Sequence, residues 1–132
     1  MKRVTGIGGI FFKAEDPANL RDWYRDRLGF NTDQYGGLFK WREDESPDSR
    51  ATTSWSPMGA KTDYFSPSQK PFMFNYRVED LVKLLEVLKE EGVTIVGEIQ
   101  EFEYGKFGWI MDPEGNKIEL WEPIDAPFLK EE

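Results

Sequence analysis

What most limits the fold of this chain is that its second half repeats its first. Set one above the other, "GIFFKAEDPANLRDWYRDRLGF" (9–30) and "MFNYRVEDLVKLLEVLKEEGV" (73–93) align at an offset of 64. This places Ala14-Glu15-Asp16 over Val78-Glu79-Asp80 and Leu20 over Leu84, with Gly29 and Gly92 closing the segments one residue out of step. Further along, "FKWRED" (39–44) resembles "FGWIMD" (107–112) and pairs Trp41 with Trp109. "TSWSP" (53–57) matches "ELWEP" (119–123) and pairs Trp55 with Trp121. The offset drifts from 64 to 68 to 66, as insertions between duplicated units would make it. Matches that keep the same order along the chain point to two copies of one module.

Each copy has the same local grammar. Residues 7–14 and 72–78 are β-rich and bounded by turn or cap residues. Asp16 and Asp80 are good N-caps, and Pro17 suits the first helical position, where its missing N–H costs nothing. Leu20, Trp23, Tyr24 and Leu28 fall on one helix face, as do Leu81, Leu84, Leu85 and Leu88. Gly29 and Gly92 suit the left-handed position that ends a helix. Short strands follow, so each half reads β-α-β-β-β. Module 1 covers about 4–57, a Pro- and Ser-rich linker about 58–70, and module 2 about 71–125. One such unit alone leaves sheet edges and a sheet face bare. Two units can join their sheets into a curved cup with the helices outside, giving one α+β domain with a mixed sheet. The tail "APFLKEE" is expected to fray, with docking of Phe128 and Leu129 on a partner as the alternative.

Composition narrows the chemistry. The net charge is −8, with Lys and Arg scattered and outnumbered, so no basic stripe marks a nucleic-acid binder. No apolar run reaches the length of a membrane span, and the start lacks a signal-peptide pattern, so the expected location is cytoplasmic. There is no cysteine and no histidine. Disulfides and thiolate catalysis are therefore excluded, and so are the commonest neutral-pH base and the commonest transition-metal ligand. Aromatic residues reach 15% of the chain, enough to wall a cavity with rings.

The motifs "GIGGIFFKAEDP" with "WYRDRLGF", "FNYRVEDL" and "FGWIMDPEGNKIELWEP" resemble those of the vicinal-oxygen-chelate superfamily, which contains glyoxalase I, bleomycin-resistance proteins and extradiol dioxygenases. The resemblance runs from about residue 6 to 123. It implies paired βαβββ modules and, from family habit, a homodimer. It also implies a divalent metal held by four positions, two from each module. Carried over residue by residue, these are Gly9 and Met73 on the first strands, Glu119 on the last strand, and Thr53 as its counterpart. An uninterrupted offset of 64 makes that counterpart Trp55 instead. Only Glu119 is a metal-ligating carboxylate, whereas divalent metals want three or more O or N ligands. The usual site is expected to be lost, with no cofactor required.

If Gly9 and Met73 face the cup, strand alternation sends Phe11, Lys13, Asn75 and Arg77 inward as well, together with Glu119, Trp121 and Trp55. Ile10, Phe12, Phe74, Tyr76, Val78, Ile118 and Leu120 then face the helices. Apolar walls with a few fixed polar points are the usual makeup of a small-molecule site. Phe11, Lys13, Trp55, Asn75, Arg77 and Trp121 are therefore the candidate ligand contacts, with Glu119 as the candidate catalytic or binding group. The leading expectation is a binder of a small organic molecule. The alternatives are a lyase, isomerase or dioxygenase with an atypical metal site, metal-free acid–base chemistry on Glu119, and a structural module whose cup is filled by its own side chains. In that last case Glu119 would be paired with Lys13 or Arg77.

Overall fold

A computed structural model of the chain describes residues 2–129. In chain order the elements are β1 (Val4–Ala14), α1 (Pro17–Leu28), β2 (Gly37–Arg42), β3 (Arg50–Gly59), β4 (Phe72–Val78), α2 (Leu81–Glu90), β5 (Ile95–Phe102), β6 (Gly105–Met111) and β7 (Lys117–Pro123). A short 3-10 turn, Ala126–Phe128, follows. The strands form one seven-stranded sheet in the order β2-β3-β1-β4-β7-β6-β5. β1 and β4 pair antiparallel at its centre. Each then pairs parallel with the last strand of its own module, β1 with β3 and β4 with β7. The repeat in the sequence is thus a repeat in the sheet: two modules joined through their first strands.

The copies are unequal. Module 2 has three strands after its helix, but module 1 has two, with a single bridge from Thr32 to Gly37 where the third was expected. There the Asp33 side chain accepts from the backbone N–H groups of Tyr35 and Gly36, so a turn takes the hydrogen bonds a strand would need. β3 also runs further than expected, to Gly59, which pairs with Ala14.

The helix ends follow the sequence. The Asp16 and Asp80 carboxylates accept from the N–H of Asn19 and Lys83, and Gly29 and Gly92 take positive φ of 71° and 86°. α2 buries Leu81, Leu84 and Leu85 against Val78 and Leu120. α1 buries no residue fully: Trp23 and Leu28 are exposed, contrary to the expected face, and Tyr24 carries the contact by packing on Trp55 and Phe30. The helices leave the middle of the sheet bare, so Val4, Ile7, Ile10 and Phe74 stay exposed. Phe12, Tyr76 and Val78 are covered as expected. Phe128 does not point away from the molecule; its ring lies against Tyr104 and Trp121. Among the described residues no helix is long and apolar enough to cross a membrane.

Candidate functional site

On β7, Ile118 and Leu120 point into the α2 core and turn Glu119 to the opposite, cup-facing side of the sheet. Its lateral neighbours are Asn75 on β4 and Trp109 on β6. Asn75 Nδ2 donates to Glu119 Oε1 at 2.7 Å, and Trp109 Nε1 donates to Oε2 at 2.9 Å. A third donor, the Tyr64 hydroxyl, reaches Oε2 from the connection between β3 and β4. Beside these, Phe65, Met73 and Trp109 form a buried cluster with Phe11 and Met58 against it.

Glu119 is 2% exposed. Burial pushes its carboxyl above the ordinary range, further than the three donors and the nearby Lys117 charge pull it down. Lys117, two residues earlier on the same face, is displaced the opposite way: burial lowers its pKa more than Glu119 raises it. Its ammonium donates to the Tyr64 carbonyl at 2.8 Å and lies over the Tyr64 and Trp109 rings. Burial and the Glu119 charge both raise the Tyr64 phenol. The result is a desolvated acid whose lone pairs are taken by a loop tyrosine and two strand side chains.

A second network occupies the other end of the cup. Arg77 is also 2% exposed and lies between the rings of Trp41 and Trp121, at 5.4 and 5.1 Å from their centroids. Its Nη1 and Nη2 donate to the two carboxylate oxygens of Asp125, each at 2.7 Å. Thr52 Oγ1 donates to Asp125 Oδ1 at 2.8 Å, and Thr52 O accepts from Nη1 at 3.3 Å. Glu43 stands 3.9 Å from Nη2. The ion-pair partners of Arg77 are therefore Asp125, in the tail after β7, and more distantly Glu43, not Glu119.

Gly8 separates the two networks. A Cβ there would lie 2.1 Å from Asn75 Oδ1, 2.9 Å from Trp121 Cε3 and 3.1 Å from Arg77 Cγ. The register of β1 against β4 slips between Ile7 and Gly9, a bulge that brings Gly8 and Gly9 both against cup side chains. "GIGG" thus makes room on the sheet for the side chains of the neighbouring strand. Asn75 Oδ1 and Arg77 Nε are buried there without a hydrogen-bond partner.

The structure brings Phe11, Asn75, Arg77, Glu119 and Trp121 to the cup as expected. Lys13 lies at the end of β1 opposite Met58, and its ammonium has no polar partner among the described residues. Trp55 is on the other face. It aligns with Ile10 and packs on Phe12, Tyr24 and Phe30, because α1 needs a large apolar platform there. Thr53 donates to Ile7 O at 2.6 Å and accepts from Trp41 Nε1 at 2.8 Å, far from any role beside Glu119. The register instead sets Ser54 and Ser56 beside Gly9 and Phe11.

Sequence reasoning missed Tyr64, Phe65, Lys117, Thr52, Asp125 and the polar use of Trp109 and Trp41. Lys117 could have been found, since it shares the parity of Glu119. Tyr64 and Asp125 lie in irregular segments, where no periodicity points to them. A groove of about 570 Å³ lies between α2 and β5, lined by Val82, Leu85, Ile95 and Ile99. It is on the helix side, and its charged lining, Glu86, Lys89 and Glu98, is exposed, whereas the polar groups of the cup are buried and converge, so the chemistry argues for the cup.

A family model described as the glyoxalase/bleomycin resistance protein/dioxygenase superfamily matches residues 6–120. The chain belongs to this superfamily. No curated protein matches it. Among solved structures, a methylmalonyl-CoA epimerase from Mycobacterium tuberculosis is 21% identical, with a TM-score of 0.58 over 96% of this chain and 93% of that one. A Streptomyces coelicolor methylmalonyl-CoA epimerase, in complex with 2-nitronate-propionyl-CoA, is 12% identical, with a TM-score of 0.67 over 91% and 98%. At these identities the likeness is one of fold.

The donor set does not suit the divalent metal that membership of the superfamily implies. Of the positions carried over from it, only Glu119 offers a carboxylate, and Gly9 and Met73 supply no hard donor. The groups around Glu119 turn hydrogens toward it: an indole N–H can only donate, and Asn75 presents its amide nitrogen. Among the described residues no group of three Asp, Glu, His or Cys side chains converges.

Proposed function

We propose that the cup binds a small organic molecule through Glu119, without the metal used elsewhere in the superfamily. One observation carries this reading. Glu119 is an almost fully buried carboxyl whose third donor comes from Tyr64, a residue that is 38% exposed and sits on a connecting segment. Asn75 and Trp109 are fixed on strands of the sheet, whereas the tyrosine can be replaced by an N–H or O–H of a ligand. Phe11, Phe65 and Trp109 then supply apolar walls. Binding has to displace the Tyr64 hydroxyl, which costs about 0.5–1.5 kcal/mol or somewhat more for a charged acceptor.

The test is a screen of small uncharged aromatic alcohols, amines and amides by tryptophan fluorescence, repeated on Tyr64→Phe and Glu119→Gln. Tyr64→Phe is expected to tighten binding, since the internal competitor is gone, and Glu119→Gln to weaken it. Hits whose affinity ignores both changes would place the site elsewhere.

A second reading is favoured by the direction in which Glu119 titrates. A carboxyl raised toward neutrality suits a general base. Several solved structures of the same fold are methylmalonyl-CoA epimerases, and epimerisation moves a proton at carbon. Deuterium uptake from D2O at an acidic C–H of a bound thioester or ketone, lost in Glu119→Gln, is its signature. A homodimer belongs to the same proposal, supported by the exposed strip of Val4, Ile7, Ile10 and Phe74. So does a cytoplasmic location, supported by the lack of the cysteines that small secreted domains use as staples.

A further inference from the structure

The geometry points to a carboxylate-binding site at Arg77, occupied in this conformation by the chain's own Asp125. This deepens the reading above and rests on it: the cup's ligand carries a carboxylate. Three donors converge on the Asp125 carboxylate, namely Arg77 Nη1, Arg77 Nη2 and the Thr52 hydroxyl. The two guanidinium bonds are parallel and of equal length, the fork geometry that recognises a planar carboxylate. The fork does not depend on Asp125 for its orientation. Trp41 and Trp121 hold it between their faces, and Thr52 O accepts from Nη1. Those rings are fixed in turn: Trp41 Nε1 donates to Thr53 Oγ1 and Trp121 Nε1 to Tyr104 O, each at 2.8 Å.

The carboxylate that fills the receptor comes from an irregular segment outside the sheet, whereas the receptor is built into its strands. Asp125 lies two residues past the end of β7, after Ile124, which is 52% exposed. Ile124 N donates to Tyr104 O, and the turn that follows rests on Phe128. The receptor residues Arg77 and Thr52, by contrast, sit inside sheet strands and are 2% and 0% exposed. Arg77 Nε adds a buried N–H without a partner, and Asn75 Oδ1, packed against Gly8, a buried acceptor without one. A ligand carboxylate that takes the place of Asp125 on Arg77 is held at the end of the cup opposite Glu119. Asp125 is then a built-in competitor, and the apparent affinity for an external carboxylate falls by the fraction of time the tail is docked.

The experiment titrates wild type, Asp125→Asn and Asp125→Ala with benzoate and propionate, against benzamide and propionamide at matched ionic strength. Intrinsic tryptophan fluorescence is followed, because two of the rings flank the guanidinium. Asp125→Asn keeps the shape of the tail and one acceptor for the fork, but sets an amide N–H against the other guanidinium nitrogen, so it weakens docking with less disturbance than Asp125→Ala and remains informative if Asp125→Ala proves too unstable to purify. Circular dichroism checks that each variant is folded. Removing the charge of Asp125 is expected to tighten carboxylate binding by about tenfold or more, with no matching gain for the amides. Adding Arg77→Met to Asp125→Asn is expected to abolish that gain. Folded Asp125→Asn protein that binds carboxylates no better than wild type would overturn the proposal and leave Arg77–Asp125 as a fixed latch. Binding of uncharged ligands that depends on Glu119 is scored separately, so the failure of one reading is distinguishable from failure of the other.

Discussion

Replacing Gly8 with alanine tests the arrangement of the cup in a single methyl group. The new Cβ would stand 2.1 Å from Asn75 Oδ1, so the amide has to move by more than an ångström to restore an ordinary contact. It has nowhere to go. Asn75 is 2% exposed and tied to Glu119, while Trp121 and Arg77, at 2.9 and 3.1 Å, are 3% and 2% exposed. Overpacking a closed site costs about 1–3 kcal/mol. Losing the Asn75 bond to a buried carboxyl adds about 1–3 kcal/mol, and removing a glycine from a strand returns about 0.5–1 kcal/mol. The net loss expected is about 2–4 kcal/mol, read as a lower urea midpoint with an unchanged slope. Gly9→Ala is the control. Its Cβ meets the far end of the Phe11 ring at 2.9 Å, and that ring is only partly buried, so the loss should stay below about 1 kcal/mol. If Gly8→Ala unfolds within about 0.5 kcal/mol of wild type, or Gly9→Ala proves the worse of the two, the packing described at the centre of the cup is wrong.

Glu119→Leu strips the acceptor from Tyr64, Asn75 and Trp109 and should cost about 3 kcal/mol or more in urea unfolding, whereas Glu119→Gln keeps most of those bonds. Because the folded-state pKa of Glu119 is raised, its contribution to stability is present in acid, below the unfolded value of 4.5, and is lost as pH rises through the folded value. The stability of Glu119→Gln relative to wild type should therefore rise from pH about 4.5 upward; a difference that is flat with pH would contradict this. Trp55→Ala is expected to lose about 3–5 kcal/mol of stability, because the ring is the platform under α1. Any ligand that Glu119 binds should be held as before by the folded fraction, and a weakened affinity there would return Trp55 to the site.

Much of this was written in the chain, and the exceptions have physical causes. The repeat foretold the joining of two modules through β1 and β4. Alternation on β4 and β7 placed Met73, Asn75, Arg77, Glu119 and Trp121 on the cup side, because both strands run without a bulge. It failed for Trp55 because both offsets chose an odd residue, 53 or 55, which share one face, whereas the pairing of Gly9 with Ser54 sets the even residues of β3 beside the cup. The missing strand of module 1 was lost to an Asp33 turn that a β-rich reading overlooks. The partners of the two buried charges were the least legible. Tyr64 and Asp125 belong to segments without period, and their positions follow from the tertiary fold alone.

The most direct test of the central claim is elemental metal analysis of the purified protein, followed by calorimetric titration with Mn, Fe, Ni and Zn. With N–H and O–H donors turned toward Glu119, the expected result is no stoichiometric metal and no heat beyond dilution. About one metal bound per chain, lost in Glu119→Ala, would mean that Glu119 is a ligand after all and that the cup is an unorthodox metal site.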